Sequence, residues 1–326
     1  MAKCSKCGSK AVIKIPYARM NLCDRHFIEY FEGRVAATIG KYGLLKEGES
    51  VLVAVSGGKD SVALLSALTV VAPKLRLKVM PLHMHLGLGE YSDESLRVVK
   101  EVSRKLGVNT CILSLEEVVG AAIPELSAKS GRPPCAVCGL VKRYVLNAAA
   151  VEWGVDAVAT GHHIDDLAPY ALKNMLLGDM GAALKLAPVT AGEEGYLARR
   201  VRPLYEVTER ECLTYVIVKG LPFIKTSCPN AFLGGMDALV RKFLYELDLR
   251  HPGIKLRFMR SLARAAARHD ANQERTQAKL TRCRYCGLPS RGEVCGFCRL
   301  TERVLGSPAG PRVREALEEL RPPHAE

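Results

Sequence analysis

Val51-Leu52-Val53-Ala54-Val55-Ser56-Gly57-Gly58-Lys59-Asp60-Ser61 carries a continuous apolar, β-branched run into a glycine pair and on into Val62-Ala63-Leu64-Leu65-Ser66-Ala67-Leu68. The first run reads as a strand buried on both faces and the last as a helix, giving the order strand, loop, helix. Two adjacent glycines let backbone N–H groups close around an anion, and the following helix directs its positive end at the same place. Ser56 and Ser61 add hydroxyl donors. The spacing is not that of a Walker A loop, which needs GxxxxGK[ST]. A glycine turn that merely joins strand to helix is the bland alternative, and the complete hexapeptide in this setting argues against it.

Outward from this unit the alternation continues, with strands over 77–84, 110–115 and 155–159 and helices over 93–106 and 137–153. That order predicts an α/β fold with a parallel, doubly wound sheet, whose ligands bind at the carboxyl ends of its strands. Three segments then face the site: the glycine loop, His83 to Tyr91, and Gly161-His162-His163-Ile164-Asp165-Asp166. Gly161 permits close approach of the backbone to a nucleotide. The paired carboxylates suit a magnesium ion or a proton, although such a pair also serves as a helix N-cap. His83, Gly161 and His162 join Ser56, Gly57, Gly58, Lys59, Asp60 and Ser61 as expected nucleotide contacts. A helix over 33–42 precedes the sheet, and helices over 208–219 and 236–249 follow it. A basic helix is expected over about 255–280, carrying Arg257, Arg260, Arg264, Arg268, Arg275 and Lys279. The tail from Ser307, with Pro308, Pro311, Pro322 and Pro323, is expected to be peripheral.

Four residue pairs, Cys4/Cys7, Cys135/Cys138, Cys283/Cys286 and Cys295/Cys298, have CxxC spacing. Cys4 and Cys7 with Cys23 and His26 supply four soft ligands, and Cys283, Cys286, Cys295 and Cys298 supply four more. Each set satisfies a closed tetrahedral zinc site, first of all a folding device. Residues 1–32 hold too few apolar residues to fold without such a staple. Cys111 and Cys212 lie in apolar periodic segments and read as small buried hydrophobes. Cys135, Cys138 and Cys228 fall in polar or Pro-containing turns and make no zinc quartet. Three thiolates on a [4Fe-4S] cluster would leave one iron open to substrate or sulfide. A Cys135/Cys138 disulfide, a persulfide on Cys228 and three unrelated thiols stand beside that reading.

Composition sets the limits. The chain has 326 residues, 48% of them hydrophobic, enough for one large core or one core with small satellites. A net charge of +13 fits an anionic macromolecule such as nucleic acid, or a basic solvated surface. Only 6% of residues are aromatic, so recognition through phosphates is expected rather than a platform of stacked rings. No run approaches a membrane span, and Met1-Ala2-Lys3-Cys4 leads into no apolar stretch, so a cytoplasmic protein that keeps its thiols reduced is expected.

The strand followed by SGGxDS resembles the PP-loop of ATP pyrophosphatases, and the GHHIDD segment resembles the GH-x-x-DD of those that modify tRNA. Leu167 stands where a further acidic residue is common. Over nearly its whole length the chain is similar to the tRNA 2-thiouridine synthetase family of the TtuA type. The similarity lies in the ordered set of CxxC…CxxH, VAVSGGKDS, Leu86-Gly87-Leu88-Gly89-Glu90-Tyr91-Ser92, Cys135-Ala136-Val137-Cys138 through Tyr144, GHHIDD, Ser227-Cys228-Pro229-Asn230-Ala231, His251-Pro252-Gly253-x-Lys255 and CxxC…CxxC. The resemblance implies a zinc finger over 1–32, a PP-loop catalytic domain over 33–280, a second zinc finger over 281–304 and a tail over 305–326. It implies ATP with Mg2+, two Zn2+, and a [4Fe-4S] cluster on Cys135, Cys138 and Cys228 whose open iron holds sulfide. It also implies a tRNA substrate, a ubiquitin-like sulfur carrier with a C-terminal thiocarboxylate or free sulfide as donor, and no membrane; a homodimer stays open. By the same resemblance Asp60 lies near magnesium and triphosphate, Asp166 matters for activity, and Lys142 stabilises the adenylated base, where the motif alone would allow only a solvated helix face. The implied reaction adenylates O2 of a T-loop uridine and then replaces that oxygen by sulfur. A wobble-uridine thiolase and a zinc-finger RNA-binding protein with a vestigial nucleotide site are the alternatives.

Overall fold

A computed structural model of the chain describes residues 2–190, 192, 198–231, 234–272 and 281–323, with the side chains of 270–272 left aside. The N-terminal module is a hairpin of β1 (Ile13–Ile15) and β2 (Met20–Leu22), followed at once by α1 (Asp24–Tyr42). The helix expected from Gly33 thus begins nine residues earlier, directly after the metal-type Cys23, and His26 rides on its first turn. Its buried face, Phe27, Phe31, Val35 and Ile39, carries the module into the main core.

Then come β3 (Ser50–Ala54), α2 (Lys59–Leu75), β4 (Lys78–His85), α3 (Glu90–Leu106), β5 (Cys111–Ser114), α4 (Leu115–Val119), α5 (Ile123–Ser130), α6 (Pro134–Glu152), β6 (Ala157–Ala159), α7 (Ile164–Leu176), α8 (Met180–Leu184), β7 (Val189–Thr190) and β8 (Arg199–Val201). The sheet order is β5-β4-β3-β6-β8-β7, parallel throughout except for β7, an antiparallel edge that the sequence did not announce. Side-chain alternation splits the core. Val51, Val53, Ala157, Ala159 and Val201 face α1, α2 and α9 (Glu209–Val218), whereas Leu52, Met80, Leu82, Leu113 and Val158 face α6. Chain order reverses between β3 and β6, which opens the ligand crevice of such sheets at the ends of these two strands.

The remaining elements are α10 (Gly235–Arg250), α11 (Ile254–Asn272), a hairpin of β9 (Thr281–Arg282) and β10 (Pro289–Ser290), α12 (Gly296–Leu305) and α13 (Gly310–Glu319). Arg275 and Lys279 of the expected basic helix lie outside the described residues. The expectation of a peripheral tail is overturned. Pro311 starts α13, a position where its fixed φ and missing N–H cost nothing, and Val313 and Leu317 are fully buried against α6. Trp153 Nε1 donates to Leu317 O at 2.7 Å and Arg312 Nη2 to Val119 O at 3.1 Å, fixing the tail to the catalytic sheet.

Candidate active site

The phosphate loop is braced from within. Ser61 Oγ accepts from Ser56 N at 3.1 Å and donates to Gly58 O at 2.9 Å, and Ser95 Oγ donates to Ser56 O at 2.7 Å. Gly57 has φ +79°, and a Cβ there would stand 3.1 Å from both Ile224 Cδ1 and Ser95 O, so conformation and space both demand glycine. The loop ends in α2, whose first turn holds Lys59 and Asp60.

The β6 segment closes on this loop as expected. A Cβ on Gly161 would come 3.0 Å from Asp60 C and Ser61 N, so only glycine lets the two backbones touch. His163, 2% exposed, places Nε2 at 3.4 Å from both Asp60 Oδ1 and Asp166 Oδ2. Burial works against its imidazolium, yet the two carboxylates outweigh burial and its pKa is raised. Burial likewise lifts the Asp60 carboxyl, but His163 and Lys59 prevail and its pKa is lowered. Asp60 is therefore ionised at neutral pH, and its buried Oδ1 makes no hydrogen bond among the described residues. Asp60 and Asp166 together fit a divalent cation beside bound phosphates.

Asp165 does otherwise. It pairs with Lys255 and accepts from Glu209 N at 2.7 Å, which explains the HPGxK stretch: Lys255 reaches back from α11 to hold the start of α7. His162 bonds Thr160 Oγ1 at 2.8 Å, and His163, not singled out from the sequence, takes the position between the carboxylates. His83 is 1% exposed. Its Nδ1 lies 2.8 Å from Val55 O, and burial keeps its pKa low, so the neutral ring leaves Nε2 as an unpartnered acceptor within reach of the Lys142 charge. A cavity of about 560 Å³ lies between the N-terminal hairpin, α9 and α10; it shares Asp165 and Glu209 with this region but holds none of the phosphate loop.

The thiols sort into three sets. Ligand atoms of Cys4, Cys7, Cys23 and His26 lie within 4.8 Å of one another, as do those of Cys283, Cys286, Cys295 and Cys298, and both donor sets suit a tetrahedral ion. The second quartet is wholly buried in the core facing α6 and is no satellite. Cys135, Cys138 and Cys228 do not close to that separation among the described residues. They do share one corner. Cys135 Sγ donates to Asn230 O at 3.0 Å, and burial raises the Tyr91 phenol with the charges of Cys228 and Cys138 adding to it. Cys135 and Cys138 stand on the first turn of α6 rather than in a turn before it, because Pro134 opens the helix early.

Known proteins place this arrangement. The description "PP-loop domain" matches residues 29–233, and "2-thiouridine synthetase TtuA, N-terminal LIM domain" matches residues 3–28. The tRNA-5-methyluridine(54) 2-sulfurtransferase of Pyrococcus horikoshii is 39% identical over 297 residues, 91% of this chain and 93% of that one. The chain belongs to the tRNA 2-sulfurtransferase family of PP-loop enzymes. The enzyme of the same name from Thermus thermophilus is 38% identical over 302 residues, 92% of this chain and 91% of that one. In structure, the U34-tRNA thiolase NcsA from Methanococcus maripaludis with its [4Fe-4S] cluster superposes with a TM-score of 0.74 at 23% identity, covering 94% of this chain and 96% of that chain, a likeness of fold. Membership makes this chain a tRNA-thiolating transferase with an ATP-binding PP-loop. None of the described helices is long and apolar enough to cross a membrane.

Sequence reasoning passed over Arg200 and Arg202, which β8 delivers to the same carboxyl edge. The signal was there: charged residues inside a strand of a buried parallel sheet are a local conflict, and such conflicts mark sites.

Proposed function

We propose that this chain thiolates position 54 of tRNA at O2 of the uridine, using ATP and Mg2+. The supporting observation is the contact of Gly161 with the first turn of α2, which gathers Asp60, His163 and Asp166 above the phosphate loop on the edge that also receives α6 with Cys138 and Lys142. Ser56 to Ser61 hold the triphosphate through backbone N–H groups and hydroxyls. Asp60 and Asp166 hold magnesium, and His163 keeps Asp60 ionised and lies against both carboxylates, orienting them. Uridine O2 bonds to the α-phosphorus as the bond to pyrophosphate breaks; sulfur then bonds to C2, and O2 departs with AMP. Lys142, one helical turn beyond Cys138, offsets the negative charge on that leaving phosphate. The target base must leave its stack to reach the edge. Cys135, Cys138 and Cys228 would hold a [4Fe-4S] cluster, which when bound supplies the reactive sulfur, received from a ubiquitin-like carrier or from free sulfide. The two quartets would hold Zn2+.

The test is anaerobic incubation of the purified protein with ATP, sulfide and tRNA, followed by nucleoside mass spectrometry of segments containing position 54 and position 34. Sulfur at 54 with stoichiometric AMP is expected. Sulfur at 34 alone would move the chain to the wobble group, and absence of AMP would overturn the activity.

A further inference from the structure

Arg200 points from β8 to the face of the sheet that α6 covers, and Arg202 follows directly after the strand. Arg200 Nη2 donates to Asn147 Oδ1 at 2.9 Å, and its other donors take no partner among the described residues. Arg143, on α6 one turn before Asn147, folds back so that its Nη1 lies 3.1 Å from where a Gly139 Cβ would be, next to Cys138. Its charge reaches Arg200, and burial followed by this repulsion lowers the Arg200 pKa. Arg202 is tied behind them: its guanidinium holds Ala187 O, Thr190 Oγ1 at 3.2 Å and Lys185 O at 3.3 Å, while its buried Nε has no partner. Burial first, and then Arg200, bring its pKa to about 10; burial and then Arg202, with Arg200 a lesser charge, hold His162 below the ordinary histidine range.

No carboxylate among the described residues pairs with any of the three. Like charges held together at the edge of a core, with donors left over, favour an anion beside them. The lane they form runs from the CxxC turn of α6 to His162. A base seated between the phosphate loop and the thiols has to lay its own backbone along that lane.

We propose that Arg143 and Arg200, backed by Arg202, seat a phosphodiester of the tRNA strand beside the reacting nucleotide. Arg200 grips it with the two-pronged geometry that guanidinium offers a phosphate, and Arg143 covers it from α6. The seat fixes how far the strand enters and so which base meets the loop. This assignment rests on the tRNA-thiolating reading.

The experiment compares wild type, Arg143→Gln, Arg200→Gln, the double variant and Arg200→Lys. It measures tRNA affinity across a salt series, ATP affinity, thiolation rate, and bound zinc and iron. Each Gln change is expected to weaken tRNA binding about three- to tenfold and to lower the salt slope by about one, with ATP affinity and metals unchanged. Arg200→Lys should recover the slope but only part of the thiolation rate, since an ammonium replaces the charge and not the fork. Unchanged tRNA affinity and slope in the double variant would sink the assignment, as would a selective loss of ATP affinity, which would give the seat to the nucleotide. Arg143 is exposed, so its variant reports even if Arg200→Gln fails to fold. A wild type that binds no tRNA would instead sink the functional reading itself.

Discussion

At Asp60 burial and charge pull in opposite directions, and charge prevails through His163 and Lys59. The side chain is about a quarter exposed on the first turn of α2 and bears no apolar packing, so removing it disturbs little. Asp60→Ala is expected to abolish tRNA-dependent AMP formation, followed by chromatography of the nucleotides, while thermal unfolding stays within the small range of surface substitutions. Wild-type AMP release in that variant would remove Asp60 from the site. The thiols offer a second case. Cys212 is fully buried, and burial drives its pKa well up, so it is inert; Cys111 donates to Leu320 O at 3.2 Å. Ala at either should cost on the order of 1 kcal/mol and leave activity largely intact. Ser at Cys135, Cys138 or Cys228 should eliminate thiolated tRNA and lower iron with zinc unchanged, as checked by metal analysis and mass spectrometry. Iron retained in all three with thiolation lost would make them sulfur carriers. At this scale residue types were legible and company was not. The GHH run identifies a histidine site, but only the tilt of the chain into α7 decides that His163 and not His162 lies between the carboxylates.

Among the elements, α13 was read as a tail because four prolines were counted as breakers. Pro311 is instead a helix start, and Val313, Leu317 and Leu320 fall at helical spacing, so the signal was in the sequence. The antiparallel β7 had no such signal, since two residues carry no period. Where α13 begins, Gly310 fits between the finger and α6. A Cβ there would overlap Cys298 Sγ and stand 2.8 Å from Cys286 Cβ and Tyr144 Oη. Tyr144 also stacks on Phe297 of α12, ring centroids 4.0 Å apart. Gly310→Ala is therefore expected to lower zinc at the second quartet and to destabilise the protein by roughly 2–4 kcal/mol through overpacking. Denaturant titration together with zinc analysis checks both. Normal zinc with unchanged stability would show that the finger yields easily at this point.

Across the whole molecule, Glu206 joins the N-terminal helix to the C-terminal half. It is 5% exposed and receives Lys41 at 2.5 Å, Tyr42 at 2.7 Å, Arg34 at 3.5 Å and Arg260 of α11 at 2.5 Å. Burial raises its pKa, but Arg260 and Lys41 outweigh burial and bring it to about 2. A depressed carboxylate stabilises the fold above its unfolded pKa, near 4.5, and that stability is lost as pH falls toward 2; the shift corresponds to about 3 kcal/mol. The stability gap between wild type and Glu206→Gln, from urea unfolding at several pH values, is expected to shrink by about 2 kcal/mol between pH 6 and pH 3, the remainder being lost only as pH falls through 2. A gap independent of pH would mean that Glu206 keeps its proton equilibrium on folding. The net charge of +13 acts at the same scale: tRNA affinity should fall steeply with salt, whereas ATP affinity should fall far less.

The bond from Trp153 to Leu317 spans 164 positions of sequence. A chain emerging from the ribosome presents the phosphate loop and both ends of the crevice long before α13 exists. Until the last turns of the protein appear, the flank of α6 that they cover is bare, and loop closure over such a span is slow. The helix that bears Cys135 and Cys138 thus gains its α13 neighbours only after α13 is made. Pulsed amide exchange during refolding should show α6 gaining protection together with α13 and later than α2; protection of α6 ahead of α13 would contradict this order of assembly.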